Sequence, residues 1–171
     1  IGATASQKLI PRFGAREVPV IGLSMAVVGM QFFLRLAPDS TYVADFLPGI
    51  MLASIGMGLT FVPVTLIATS GIPVDDAGLA SGLFNTSQQI GGALGLAFLS
   101  TFAASRTADA LASAGNRPTE AETAQALVEG FHVAWLGCAL FLAAGAVLLF
   151  TMLRRSDVLA VAEGEAEPVV T

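Results

Sequence analysis

Uncharged apolar stretches long enough to cross a lipid bilayer dominate this chain. Residues 46–67 and 131–153 contain no Asp, Glu, Lys or Arg, and residues 18–36 contain only Arg35. A helix rises about 1.5 Å per residue, so about 20 apolar residues cross the hydrocarbon core. Charged residues make up only 12% of the 171 residues, against about 25% in a typical soluble domain. The pattern predicts an all-α integral membrane fold.

A fourth stretch, residues 78–104, has membrane length but a polar first half. Asn85, Gln88 and Gln89 are spaced i, i+3 and i+4, so they share one side of a helix. Amides in apolar surroundings are costly unless they meet a partner or a wet cavity. This helix is therefore predicted to lie inside a bundle. Two interpretations of the amides stay open: they line a substrate path, or they form interhelical hydrogen bonds worth about 0.6–2 kcal/mol each.

Glycines recur along the same stretch at a spacing of four residues. Glycines four residues apart share a helix face and let a neighbouring helix approach closely. We predict a helix-packing role for the following glycines: Gly78, Gly82, Gly91, Gly92 and Gly95.

The order of apolar and polar stretches predicts the organisation of the chain. Four complete transmembrane helices are expected over residues 18–36, 46–67, 78–104 and 131–153, and residues 1–10 are expected to be the end of a preceding helix. Residues 1–155 are thus the transmembrane part, and 156–171 are predicted to be a disordered cytoplasmic tail. Thr119 and Glu122 fit a capping box, which predicts a short surface helix over 120–128 within a connector at 105–130. Because the chain starts at Ile1 without a signal-peptide pattern, we expect it to be the C-terminal piece of a longer protein.

Basic residues predict the orientation in the membrane. Five of them flank the two ends of the membrane part, which four spans place on one side: Lys8, Arg12, Arg16, Arg154 and Arg155. The opposite side holds three: Arg35, Arg106 and Arg117. The positive-inside rule therefore predicts that both ends lie in the cytoplasm.

The side chains present predict no enzyme, no catalytic residue, no metal site and no cofactor. His132 and Cys138 are the only His and Cys, and no further ligands cluster near them. His132 is predicted to be an interface residue and Cys138 a small buried one. The predicted partner is the lipid bilayer, with no nucleic acid. None of the four spans has a carboxylate near its middle, so a proton-exchanging group would lie outside this chain.

Residues 78–101 resemble the penultimate helix of the fourteen-span drug:proton antiporter branch of the major facilitator superfamily. That helix often reads G-L-A-S-G, then N-T-S-x-Q, then G-G-A-L-G. The matching residues are Gly78, Gly82, Asn85, Thr86, Ser87, Gln89, Gly91, Gly92 and Gly95. Family members commonly have Arg where this chain has Gln88, so the chain lacks a buried positive charge there.

A second resemblance lies in PRFGAR, at residues 11–16. It is similar to the second-half copy of the superfamily's cytoplasmic loop motif, G-x-L-x-D-R-x-G-R-R. Leu9, Arg12, Gly14 and Arg16 match that motif, whereas Gln7, Pro11 and Ala15 depart from it.

The resemblance implies a multidrug efflux permease of the cell (inner) membrane, of which this chain is part of the C-terminal half. It implies alternating access between two helical halves, with small amphipathic substrates exchanged for protons. Asn85, Gln88 and Gln89 are the expected substrate-path residues, and the isolated fragment is expected to be inactive. The alternative is a non-transporting four-helix membrane scaffold or assembly subunit.

Overall fold

A computed structural model describes Gly14 and residues 17–69, 72–115 and 117–152, which form four α-helices joined by short turns. The helices are α1 (Glu17–Phe33), α2 (Leu47–Thr69), α3 (Ala77–Ala114) and α4 (Glu120–Met152). A π-helical turn, Tyr42–Phe46, leads into α2, and a 3₁₀ turn, Val74–Asp76, leads into α3. No strand occurs in these described ranges. The all-α expectation is confirmed for this part of the chain.

Helices α1 and α2 form an antiparallel pair whose backbones nearly touch. A Cβ atom placed on Gly22 would lie 2.5 Å from the Gly56 carbonyl oxygen, and one on Gly29 would lie 2.9 Å from that of Gly49. Between these two crossings, Ala26 is completely buried. Small residues at matched positions let the helices approach to this distance, which maximises van der Waals contact where no hydrophobic effect operates. The α1–α2 interface therefore tolerates almost no added volume.

A buried hydroxyl links the same two helices. Thr60 of α2 donates to the carbonyl oxygens of Gly56, at 2.9 Å, and of Pro19 on α1, at 3.2 Å. The Pro19 and Pro63 side chains are completely buried at this end of the pair. The Thr60 hydroxyl is thus satisfied inside an otherwise apolar contact.

The other two helices join this pair through α4. Trp135 of α4 contacts Phe33 near the end of α1, with ring centroids 5.6 Å apart, and Gly145 faces Leu23 further along. On another side of α4, a Cβ on Gly137 would lie 2.5 Å from Leu99 of α3. Both α1 and the second half of α3 therefore run antiparallel to α4.

The connector predicted at 105–130 is mostly helix, which corrects that expectation. Helix α3 continues to Ala114 because no Gly or Pro occurs between Gly95 and Gly115, and Gly115, with a φ of 98°, ends the helix. Helix α4 continues through Gly130, which lies against Ala103 and Thr107 of α3, where a side chain would not fit. The surface helix expected at 120–128 is the first part of α4 and not a separate element.

Local signals fix where helices begin. The Thr119 capping box is confirmed: the Thr119 backbone N–H and hydroxyl donate to one Glu122 carboxylate oxygen at 2.7 and 2.9 Å, and Glu122 N–H donates to the Thr119 hydroxyl at 3.3 Å. Asp76 occupies the N-cap of α3, but its side chain forms no capping hydrogen bond.

Two helical segments are long and apolar enough to cross a membrane: Tyr42–Ala68 and Glu120–Met152. Helix α1 is apolar but only 17 residues long, and the amides of α3 lower its hydropathy. That α1 and α3 also cross the membrane, which would give four complete transmembrane helices, therefore stays a prediction. Leu153, the expected end of the last span, and residues 156–171 lie outside the described residues.

Substitution at the α1–α2 contact tests its closeness. We expect Gly56→Ala in the complete protein to lower the free energy of unfolding by about 1–3 kcal/mol, because the new Cβ would meet Gly22 and Ala26 backbone atoms. Gly145→Ala is the matched control, since its Cβ would meet only Leu23 at 3.7 Å. Thermal loss of helical circular dichroism in detergent measures both variants. Equal melting temperatures would contradict the close packing.

Candidate functional site: the polar stripe of α3

The polar stripe, defined as Asn85, Gln88 and Gln89, lies on the first half of α3. All three side chains are exposed, and no residue of α3 is buried. Their side chains form no hydrogen bond within the part of the chain that the structure describes. The structure brings the three amides together on one helix side, as predicted, and leaves open whether they line a path or bond another helix.

The glycines beside the stripe also have no close neighbour among the described residues. A Cβ atom placed at any of the five would have nothing within 4 Å among the described residues: Gly78, Gly82, Gly91, Gly92 and Gly95. Their predicted packing role therefore has no partner in this part of the chain and stays a prediction. The glycines that do pack closely are others, Gly22, Gly29, Gly49 and Gly56 in α1 and α2 and Gly130 in α4.

Two threonine hydroxyls of α3 bond to their own helix. Thr86 donates to the Gly82 carbonyl oxygen at 2.8 Å, and Thr101 to that of Ala97 at 2.7 Å. Such bonds satisfy Ser and Thr without a neighbouring helix. Amides have both donors and acceptors and cannot be satisfied in this way, so the polar stripe is a cluster of exposed amides that needs a partner.

Only one residue of the predicted cytoplasmic loop motif can be placed. Gly14 has a φ of 96°, a conformation that side chains disfavour, and its carbonyl oxygen accepts from Val18 N–H at 3.4 Å. Arg12 and Arg16 lie outside the described residues. The loop motif therefore stays a prediction.

His132 links α4 to the segment after α1. This contact lies at the end of the bundle where α1 ends and the apolar part of α4 begins. The His132 Nε2 atom lies 2.9 Å from the Leu36 carbonyl oxygen. A carbonyl only accepts, so Nε2 carries the hydrogen. The predicted interface position of His132 stays a prediction. The contact fixes the connector after α1, residues 34–41, to α4.

Five aromatic rings form a continuous chain beside this bond, which the sequence alone did not reveal. Centroids of successive rings are 5.0–5.7 Å apart along Tyr42, Phe46, Phe33, Trp135 and Phe131. They come from α1, the π-helical turn and α4, so sequence spacing could not bring them together.

Charged side chains meet where α3 and α4 run side by side beyond the predicted spans. Arg106 donates to a Glu129 carboxylate oxygen at 2.8 Å. Both side chains are partly exposed, so the pair adds at most about 1 kcal/mol. No cluster of three or more metal-ligating residues occurs in the part of the chain that the structure describes.

Removing the His132 bond should loosen the connector. We expect His132→Leu to increase amide hydrogen exchange in residues 34–41, because the Leu36 carbonyl loses its donor at a cost of about 1 kcal/mol. Gln31→Leu, an exposed position on α1, serves as the control. Unchanged exchange in His132→Leu would show that the bond does not hold the connector.

Comparison with known proteins adds independent evidence. The sequence model of the Major Facilitator Superfamily matches residues 1–96, which is more than half of the chain. No solved structure matches the chain. The match ends within α3, just after the polar stripe.

Several characterised proteins are similar to the chain. The puromycin resistance protein pur8 of Streptomyces alboniger is 37% identical over 129 residues, covering 74% of this chain and 25% of the relative. The cephamycin export protein CmcT of Amycolatopsis lactamdurans is 36% identical over 148 residues, covering 86% and 28%. The colistin resistance protein EmrB of Acinetobacter baumannii is 33% identical over 93 residues, covering 54% and 18%.

The chain spans about a quarter of the length of the first two relatives. The family match, the membrane-length helices and the all-helical architecture agree with one another. The chain belongs to the Major Facilitator Superfamily, a family of membrane transporters and not of enzymes.

Proposed function

We propose that the chain is part of an exporter of drugs or other small amphipathic molecules. Relatives that are 33–37% identical to it are a puromycin resistance protein, a cephamycin export protein and a colistin resistance protein. Family membership supports transport by alternating access over the scaffold alternative. The complete transporter includes helices beyond this chain, and the isolated chain is proposed to be inactive.

The observation that carries the proposal is the unpartnered polar stripe on a helix of membrane length. Lipid does not satisfy amide groups, so a stripe left facing lipid would be costly. In the complete transporter we place Asn85, Gln88 and Gln89 along the substrate path, where water or a polar substrate group completes their hydrogen bonds. The uncharged stripe suits substrates with mixed polar and apolar surfaces.

The glycines beside the stripe have a complementary proposed role. Their open faces accept a close helix from the rest of the transporter, and this contact lets the stripe border a narrow path. We propose this role for Gly78, Gly82, Gly91, Gly92 and Gly95.

We further propose that transport is coupled to protons by a group outside this chain. Every described Asp and Glu lies at a helix end, in a connector or on the α3–α4 extension, and none lies near the middle of a predicted span. A proton-exchanging carboxylate inside the membrane is therefore assigned to the remaining part of the transporter.

Substitutions in the stripe test the proposed path. In cells expressing the complete protein, Asn85→Leu and Gln88→Leu should raise puromycin accumulation toward that of cells without the protein, because the path loses its hydrogen-bonding groups. Gln125→Leu, an exposed amide on α4 outside the predicted spans, should leave accumulation low. A protonophore should abolish export by the unsubstituted protein.

Two results would contradict this proposal. If both stripe variants export puromycin as well as Gln125→Leu does, the stripe does not line the substrate path. If the unsubstituted protein exports neither puromycin nor other amphipathic drugs, the proposed transport function is wrong.

The proposed orientation places both ends of the membrane part in the cytoplasm. The α1–α2 connector contacts the first turns of α4, so the connector and the α3–α4 turn lie at the same end of the bundle. That end is proposed to face outward. An impermeant maleimide added to intact cells should label Ser40→Cys but not Pro73→Cys, and the reverse result would invert the orientation.

A further inference from the structure

A groove between α3 and α4 lies apart from the polar stripe. It has a volume of about 670 Å³ and runs between residues 96–111 of α3 and 127–138 of α4. Small-molecule sites typically measure about 300–1,000 Å³. We call this space the α3–α4 groove.

The two walls of the α3–α4 groove differ in shape. On α4, the rings of Phe131 and Trp135 are nearly parallel, with planes at 23° and centroids 5.7 Å apart, and Phe131 is 51% exposed. On α3, the facing side chains include the small residues Ala103, Ala104 and Ala108. The part of the groove between these rings and the three alanines is called the slot.

The walls of the slot carry no charge. None of its lining side chains is ionisable except Cys138, and the Arg106–Glu129 ion pair lies among the residues that line a different, polar cavity. Placing a charged ligand here would desolvate it without a counter-charge. The occupant that fits is therefore uncharged.

A second cavity of about 460 Å³ shares the wall formed by Leu127, Phe131 and Trp135. It reaches the connector after α1 and includes Tyr42 and Phe46, which belong to the aromatic chain described above. Ring faces and edges favour another ring through stacked or edge-to-face contact, a preference that a flexible acyl chain does not exploit.

We infer that the α3–α4 groove is a binding site for an uncharged, planar aromatic compound, stacked on Phe131 and Trp135. The inference goes beyond the proposed export activity, because binding here requires neither the polar stripe nor a proton gradient.

Photolabelling tests this site in membrane vesicles that contain the complete protein without a proton gradient. The probe is trifluoromethyl phenyldiazirine, an uncharged aromatic compound, and peptide mass spectrometry locates the labelled residues. We expect saturable labelling at Phe131 and Trp135. Excess naphthalene should compete with the probe, and the permanently charged phenyltrimethylammonium should not.

Two variants narrow the slot or remove part of its ring wall. Ala104→Phe fills the space opposite the rings, and Phe131→Leu shortens the wall; each should lower saturable labelling several-fold. Ala112→Phe makes the same substitution on α3 outside the residues that line the groove, and it should not lower labelling.

Three outcomes would overturn the inference. Labelling that rises in proportion to probe concentration and is equal in all variants would mean that lipid alone fills the groove. Competition by phenyltrimethylammonium as strong as that by naphthalene would exclude the uncharged ligand class. Loss of labelling in Ala112→Phe as well would show that the groove is not its source. Because no transport is measured, failure here is distinct from failure of the export proposal.

Discussion

The close contact between α1 and α2 is the constraint on which the other described contacts depend. Gly22 and Gly29 meet Gly56 and Gly49 at backbone distance, so the two helices act as one unit. That unit presents Phe33 and Leu23 to α4, and α4 in turn holds the second half of α3. In lipid these contacts rely on van der Waals packing and a few hydrogen bonds, such as that of Thr60, and not on the exclusion of water.

The two halves of α3 differ in their contacts and in their proposed roles. Its second half is held by α4 through Leu99, Ala103 and Thr107, while its first half presents amides and glycines to no described neighbour. A helix with one anchored half and one polar, unpartnered half is suited to border a path between two parts of a transporter. The membership in the Major Facilitator Superfamily gives this arrangement a functional setting.

Much of the architecture could be predicted from sequence, because hydropathy and helix signals are local. The apolar run at 46–67 predicted most of α2, and Thr119 with Glu122 predicted the start of α4. The long extension of α3 was missed because the predicted span ended at residue 104, where the apolar stretch ends, whereas the helix ends at Gly115. The role of Gly130 and the aromatic chain from Tyr42 to Phe131 depend on contacts between distant segments, which spacing does not encode. For the candidate site, the clustering of the amides was predictable from their i, i+3, i+4 spacing, but what they contact was not.

The most direct test of the central claim is the water accessibility of α3 in the complete transporter. Single cysteines placed along residues 81–94 are reacted with a water-soluble thiol reagent in membranes. If the stripe borders an aqueous substrate path, Asn85→Cys, Gln88→Cys and Gln89→Cys react quickly, whereas Leu83→Cys, Ile90→Cys and Leu94→Cys on the opposite side react slowly. Slow reaction at all six positions, or equal reaction on both sides, would contradict a path along the polar stripe.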